Sequence, residues 1–180
     1  MTRRNSITRP ITAAIALVAA CFPAHAGDGI QFAGNILHIA VPAAAVGMTV
    51  GYRDGQGAIQ FAESAALTMG ATYVLKHTLD EQRPDGGSES FPSGHAAIAF
   101  CSAEFIRKRY GWEYGLPSYA VASFVAYSRV EARRHHPHDV AAGAALGMIS
   151  SYVFTTPYKG WTVEPQVDAD YYGIQFARSW

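Results

Sequence analysis

The chain has 180 residues, of which 49% are hydrophobic and only 16% charged, and its formal net charge is +0. That length suits one domain with a sizeable core, and so little charge means the chain buries much of its surface or touches a membrane. Neutrality excludes a nucleic-acid binder that neutralises many phosphates.

Residues 1–26 read as a signal peptide. Arg3, Arg4 and Arg9 form a basic start, Ile11 to Ala20 an apolar stretch, and Ala24-His25-Ala26 a small-x-small cleavage site. Cleavage before Gly27 removes three arginines and no acid, leaving 11 Lys+Arg against 14 Asp+Glu, a formal charge of −3. Two rival readings compete. Val18-Ala19-Ala20-Cys21 resembles a lipobox, which would lipidate Cys21; Arg3-Arg4 resembles a twin-arginine signal but lacks the apolar residues that should follow it. Every route implies an exported, periplasmic protein, with attachment to or embedding in a membrane left open. Cys101 is then the single remaining cysteine and reads as a small buried apolar residue, so no intrachain disulfide is expected.

The next segments read as helices. Ala33 to Val50 is mostly apolar, interrupted by Pro42, and Gly51 to Gly57 is a polar, glycine-rich loop. Ala58 to Leu79 has helical periodicity, with Phe61, Ala65, Leu67/Thr68, Thr72 and Leu75 on one side, and Pro84 marks its end before the turn Asp85-Gly86-Gly87-Ser88. Ser93 suits an N-cap for a helix over Gly94 to Arg109, whose basic end Arg107-Lys108-Arg109 complements the helix dipole. Gly111 to Gly115 breaks that helix, and Leu116 to Val130 makes the next, with Pro117 in its first turn. Glu131 to His136 is a charged loop. Pro137 opens a helix to about Phe154 whose Ala, Gly and Ser residues permit close packing. After Gly27, no stretch has 18 to 20 uninterrupted apolar residues; Ala33–Val50 comes nearest but contains Asn35, His38 and Pro42. Trp161 to Trp180 partly alternates around Asp168-Ala169-Asp170 and resembles a short β-hairpin. The expected architecture is all-α: a compact helical bundle over residues 27–160, with a β-like hairpin or tail over 161–180.

Three segments carry the chemistry: Lys76-x6-Arg83-Pro84, Pro92-Ser93-Gly94-His95 and Ser128-Arg129-x5-His135-x3-Asp139. Phosphoryl transfer depends on positioning and on stabilising charge on the non-bridging oxygens. Arg83 and Arg129 offer planar forks for that purpose, and Lys76 a point charge. A helix starting at Ser93-Gly94 presents backbone N–H groups to an anion. His135 and Asp139 stand one helical turn apart, so the carboxylate can hold one imidazole nitrogen and leave the other as a nucleophile. His95 then serves as acid and base. His38, His77, His136 and His138 read as solvated surface residues, Arg133-Arg134 as a solvated loop. The cluster His135-His136-Pro137-His138 lacks a convincing second pair of metal ligands, so no metal and no cofactor are expected.

Taken in order and at these spacings, the three segments resemble the type 2 phosphatidic acid phosphatase superfamily, which includes class A acid phosphatases, lipid phosphatases and vanadium haloperoxidases. His135-His136-Pro137-His138-Asp139 looks like that family's His-x-Pro-x-Asp helix entry. The resemblance implies a helical core and a metal-free phosphate pocket. In it a phosphohistidine would form on His135, with Asp139 orienting it, His95 as acid/base, and Lys76, Arg83, Ser93, Gly94 and Arg129 binding phosphoryl oxygens. The expected activity is metal-independent hydrolysis of a phosphorylated small molecule or a lipid phosphate. A vanadate-dependent haloperoxidase and a non-enzymatic phosphate- or phospholipid-binding module are the alternatives. The sequence speaks to neither oligomeric state nor substrate identity.

Overall fold

The structure is a computed structural model, described over residues 28–158, 160–168 and 171–179. The expected signal peptide, its rival readings at Arg3-Arg4 and Cys21, and the turn residues Ala169 and Asp170 lie outside them. Five helices follow in order: α1 (Asp28–Gly51), α2 (Gly55–Leu79), α3 (Gly94–Tyr110), α4 (Trp112–Glu131) and α5 (Pro137–Phe154). Two antiparallel strands, β1 (Gly160–Asp168) and β2 (Tyr171–Ser179), pair with Gly160 opposite Ser179 and Asp168 opposite Tyr171. The all-α bundle with a terminal hairpin is therefore what the chain adopts.

Helix α3 is the axis of the bundle and packs against all four other helices. Ala96, Ala97, Ala99, Cys101, Ala103, Phe105 and Ile106 are buried around its whole circumference, as a central helix requires. Its closest partner is α5. A Cβ on Gly143 would lie 2.4 Å from the Ser93 carbonyl oxygen, and one on Gly147 only 2.1 Å from that of Ala97, so only glycine lets the two backbones meet. One apolar cluster gathers Val41, Ala45, Met48, Phe61, Phe105, Ile106 and Tyr114, and a second gathers Leu37, Ala99, Ala103, Ala122 and Val125. At one end of the bundle a buried ion pair closes the structure. Arg109 Nε and Nη2 donate to both Asp54 oxygens at 2.7 and 2.6 Å, and Tyr110 Oη adds a third bond at 2.9 Å. Arg109, one of the three basic residues that complement the dipole at the end of α3, also makes this pair.

Several boundaries differ from the sequence reading. Helix α1 runs unbroken through Pro42. Proline removes one backbone hydrogen bond, and packing of Val41 and Ala45 into the core holds the helix across the gap. Helix α2 starts at Gly55 because Asp54 caps it, accepting from the Gly57 N–H at 2.9 Å. It ends at Leu79 because Asp80 turns left-handed (φ 38), before Pro84 is reached. Gly111 alone (φ 104) separates α3 from α4, so Pro117 lies in the second turn of α4.

Helices α1 and α2 carry exposed apolar faces, and on α2 the usual sidedness of a helix in water is inverted. On α2, Gln60, Ser64, Thr68 and Thr72 are buried along one face, whereas Ile59, Leu67, Met69, Tyr73 and Val74 are exposed. The buried hydroxyls of Ser64 and Thr68 satisfy themselves by donating to the carbonyls one turn back, both at 2.7 Å. On α1 the exposed residues include Phe32, Ile36, Ile39, Val46 and Val50. Gly29–Gly51, 23 residues, is long and apolar enough to cross a membrane, with mean hydropathy 1.5 over its most apolar 18 residues. Counting polar residues understated this helix, because Asn35 and His38 turn inward.

Candidate active site

A cavity of about 350 Å³ opens at the end of the bundle where α3 and α5 begin, lined by Gln31, Asn35, Lys76, Arg83, Gly94, His95, Arg129, Arg134 and His135. The three predicted segments thus converge. Lys76 comes from the last turn of α2, Arg83 from the loop after it, and Gly94 and His95 from the first turn of α3. Arg129 comes from the last turn of α4, and His135 from the loop before α5. The convergence follows from alternating helix direction: two helix starts and two helix ends meet at one face.

Ser93 and Asp139 do not line the cavity; both are fully buried beneath it. Ser93 caps α3, its Oγ accepting from the Ala96 N–H at 3.5 Å. Its own N–H donates to the Asp139 carbonyl at 2.9 Å, tying the second segment to the third. Asp139 Oδ2 accepts from Ser90 Oγ and from the His136 N–H at 2.8 Å, and lies 3.5 Å from His135 Nδ1. Those two bonds hold the carboxylate under the imidazole, whose other nitrogen is left for the cavity.

The cations are held apart from acids. Lys76 Nζ donates to the carbonyls of Glu89 and Ser90. Arg129 donates from Nε to Ser128 Oγ (3.1 Å), from Nη1 to Asn35 Oδ1 (2.8 Å) and from Nη2 to the Gln31 carbonyl (3.0 Å). Arg83 Nε is buried with no partner. Burial first, then repulsion from Lys76 and Arg83, pushes His135 down to about 4 from the ordinary 6.5, against the opposing pull of Asp139. The imidazole is thereby left uncharged, with a lone pair, beside cations that have no acid partner among the described residues.

The remaining histidines separate. His77 is exposed, as expected, 3.6 Å from Glu89, whereas His136 is half-buried against the Gln82 carbonyl. His138 is exposed but engaged: its Nε2 lies 2.7 Å from Glu81 Oε1 and 3.1 Å from Asp139 Oδ1. Glu81, His138 and Asp139 bring three ligand atoms together; His138 Nε2 bonds Glu81 Oε1, while Asp139 Oδ1, 3.1 Å from the same nitrogen, has no hydrogen-bond partner among the described residues. His38 is not a solvated residue. Its ring packs against His95 at 4.1 Å between centroids. The sequence reading also passed over Gln31, Asn35, Ser90 and Arg134. Ser90 sits two residues before the Pro92 segment and carried no signal of its own; Arg134 lay in a loop taken as solvated. Arg134 Nη1 meets Asp85 Oδ2 at 3.1 Å across the cavity mouth.

Fold and site together define a helical phosphatase of one known class. Residues 85–161 match the family model of the PAP2 superfamily. The lipid A 4'-phosphatase of Helicobacter pylori (strain J99) is 32% identical over 152 residues, covering 74% of this chain and 77% of that protein. A lipid A 1-phosphatase of Porphyromonas gingivalis is 38% identical over 100 residues, but these are 22% of its length. The crystal structure of Aquifex aeolicus LpxE superposes with a TM-score of 0.60 at 18% identity, covering 79% of this chain and 92% of that one. The chain belongs to the PAP2 superfamily and is a PAP2-type phosphatase.

Proposed function

We propose that this protein removes the phosphate from a lipid-linked phosphate ester at a membrane surface, through a phosphohistidine on His135 and without a metal. The observation that carries the reading is one cavity in which Lys76, Arg83 and Arg129 surround His135 and His95, set in the end of a bundle with an apolar exterior. A lipid embedded beside such a bundle can present its headgroup to the cavity while its chains stay in the apolar layer. Similarity to a lipid A 4'-phosphatase supports lipid A as the first substrate to try.

The phosphoryl group binds with its non-bridging oxygens against Lys76, Arg83, Arg129 and the Gly94–His95 backbone at the start of α3. His135 attacks phosphorus with the nitrogen not facing Asp139; the P–N bond forms as the P–O bond to the lipid breaks. Burial, then His38 and Arg129, push His95 down to about 3, so it takes up a proton as the phosphate dianion binds and gives that proton to the leaving alkoxide. His95 then takes a proton from water, whose oxygen attacks phosphorus. The P–N bond breaks, orthophosphate leaves, and His135 is restored. Asp139 keeps a proton on Nδ1 and steadies the positive charge His135 gains on attack. Export to the periplasm completes the reading: the active end works at the outer face of the inner membrane.

The test is orthophosphate release by the purified full chain in detergent, from lipid A and from an aryl phosphate, in excess EDTA. Release from lipid A that survives chelation supports the reading. Release from the aryl phosphate alone removes the lipid assignment, and loss of all release on chelation removes the metal-free mechanism.

A further inference from the structure

The three motif segments do not complete the cavity wall. Helix α1 supplies the rest, although it lies upstream of the residues that match the family model. Gln31, Gly34, Asn35 and His38 fall at i, i+3, i+4 and i+7, one face of a helix. Each meets a motif residue. The Gln31 carbonyl and Asn35 Oδ1 accept from the two Nη atoms of Arg129 at 3.0 and 2.8 Å. Gly34 makes that approach feasible: a Cβ there would stand 1.9 Å from Ser128 Oγ and 2.6 Å from Arg129 Nη2. His38 lays its ring on His95, and its Nδ1 is buried with no partner.

The donor count shows what this contact does. A guanidinium has five N–H donors. Ser128 Oγ, Asn35 Oδ1 and the Gln31 carbonyl take one from each nitrogen. Two remain, one on each Nη, free to donate to phosphate oxygens. All three acceptors are uncharged, so the plane of Arg129 is fixed while its positive charge stays available. An aspartate at position 35 would fix the plane equally well and quench the charge.

We propose that α1 is a fourth segment of the active site, in which Asn35 is a positioning residue for Arg129 and His38 a positioning residue for His95. The inference rests on the phosphatase reading above and assigns α1 a role in it beyond anchoring the bundle. Apolar residues on the outer face of the same helix point away from the cavity, so one helix both meets the exterior and shapes the site.

The experiment compares Asn35→Ala, Asn35→Asp, His38→Ala and His38→Phe with the unaltered full chain in detergent. It measures orthophosphate binding by calorimetry, turnover of an aryl phosphate, and thermal unfolding. Asn35→Ala weakens orthophosphate binding about tenfold, and Asn35→Asp weakens it at least as much while unfolding no earlier than the unaltered chain. A merely structural asparagine predicts the reverse, with the isosteric aspartate restoring phosphate binding; that result, or binding within about twofold of normal in both variants, overturns the Asn35 assignment. His38→Ala lowers kcat about tenfold and His38→Phe, which keeps a ring against His95, retains most of it. Equal kcat in all three forms overturns the His38 assignment. Calorimetry needs no turnover. An unaltered chain that binds orthophosphate but is indifferent to position 35 sinks the Asn35 assignment and leaves the phosphatase reading standing; one that neither binds orthophosphate nor turns over takes both down.

Discussion

The N–H of Ser93, which caps α3, donates to the carbonyl of Asp139 in the first turn of α5 at 2.9 Å. This one backbone bond joins two helix starts whose sequences are far apart, and it brings the first turn of α3 beside the carboxylate that lies 3.5 Å from His135 Nδ1. Ser90, fully buried, adds a side-chain bond to the same aspartate. Ser90→Ala leaves Asp139 one donor short, at a loss of about 1–2 kcal/mol in stability. The freer carboxylate orients His135 less well, so kcat should drop about tenfold at unchanged KM. Steady-state kinetics with thermal unfolding checks both; a normal kcat would remove Asp139 from its orienting role.

His135→Ala should abolish turnover, whereas Asp139→Asn should keep the fold and lower kcat by two orders of magnitude or more, roughly the effect of losing a group that orients a catalytic imidazole. Because the P–N bond of phosphohistidine is labile in acid, the reaction is quenched in alkali: enzyme exposed to labelled substrate should carry label on histidine in the unaltered chain and none in His135→Ala. Label in His135→Ala at normal yield would move the nucleophile elsewhere.

The acidity of His135 sets a pH dependence. Its folded value, about 4, lies below the ordinary 6.5, so the unfolded chain binds more protons between those values and this group makes stability rise with pH across that window. Below about 4 the nucleophile is protonated. The acid limb of kcat/KM contributed by His135 should therefore fall near pH 4. A limb for the nucleophile near 6.5, assigned by its shift in Lys76→Met, would contradict the cationic, desolvated pocket.

Asp54 and Arg109 lie at the end of the bundle away from the cavity, 5% and 7% exposed. Asp54→Ala strands the arginine and should destabilise the fold by about 3–5 kcal/mol. Turnover per folded molecule should stay within about twofold, because no cavity residue touches the pair. Denaturant unfolding and active-site titration separate the two effects.

The exposed apolar faces of α1 and α2 predict retention in the membrane fraction through a carbonate wash. Changing Val46 and Leu67 to lysine, both outward-facing, should shift the chain into the soluble or aggregated fraction, since a lysine at mid-depth disfavours insertion by about 3 kcal/mol. Full release of the unaltered chain by osmotic shock would refute the embedded reading.

The reach of the sequence is clear in particular residues. Lys76, Arg83, Gly94, His95, Arg129 and His135 were legible because phosphoryl chemistry demands rare residue types at fixed spacings, and the structure gathers all six around one cavity. The start of α3 at Ser93 and the extent of α5 from Pro137 to Phe154 were legible because caps and proline act locally. The hairpin followed from its alternation. The helix interruption at Pro42 and the break over Gly111 to Gly115 were misplaced, and the end of α2 at Leu79 was placed correctly but is made by Asp80 rather than Pro84, because a proline or glycine states a local preference that core packing can override or shift.

What the sequence by itself determined was the reagent set and the order of the helices that carry it. Only the tertiary structure decided that Gly34, Asn35 and His38 lie against that set, that Ser93 and Asp139 sit beneath the cavity floor, and that Gln60, Ser64, Thr68 and Thr72 face inward. The reason is physical. Residue type and spacing are properties of a segment, but the direction a helix face points depends on what packs against it, and α1 acquires its polar duty only where Gly34 lets it close on Arg129.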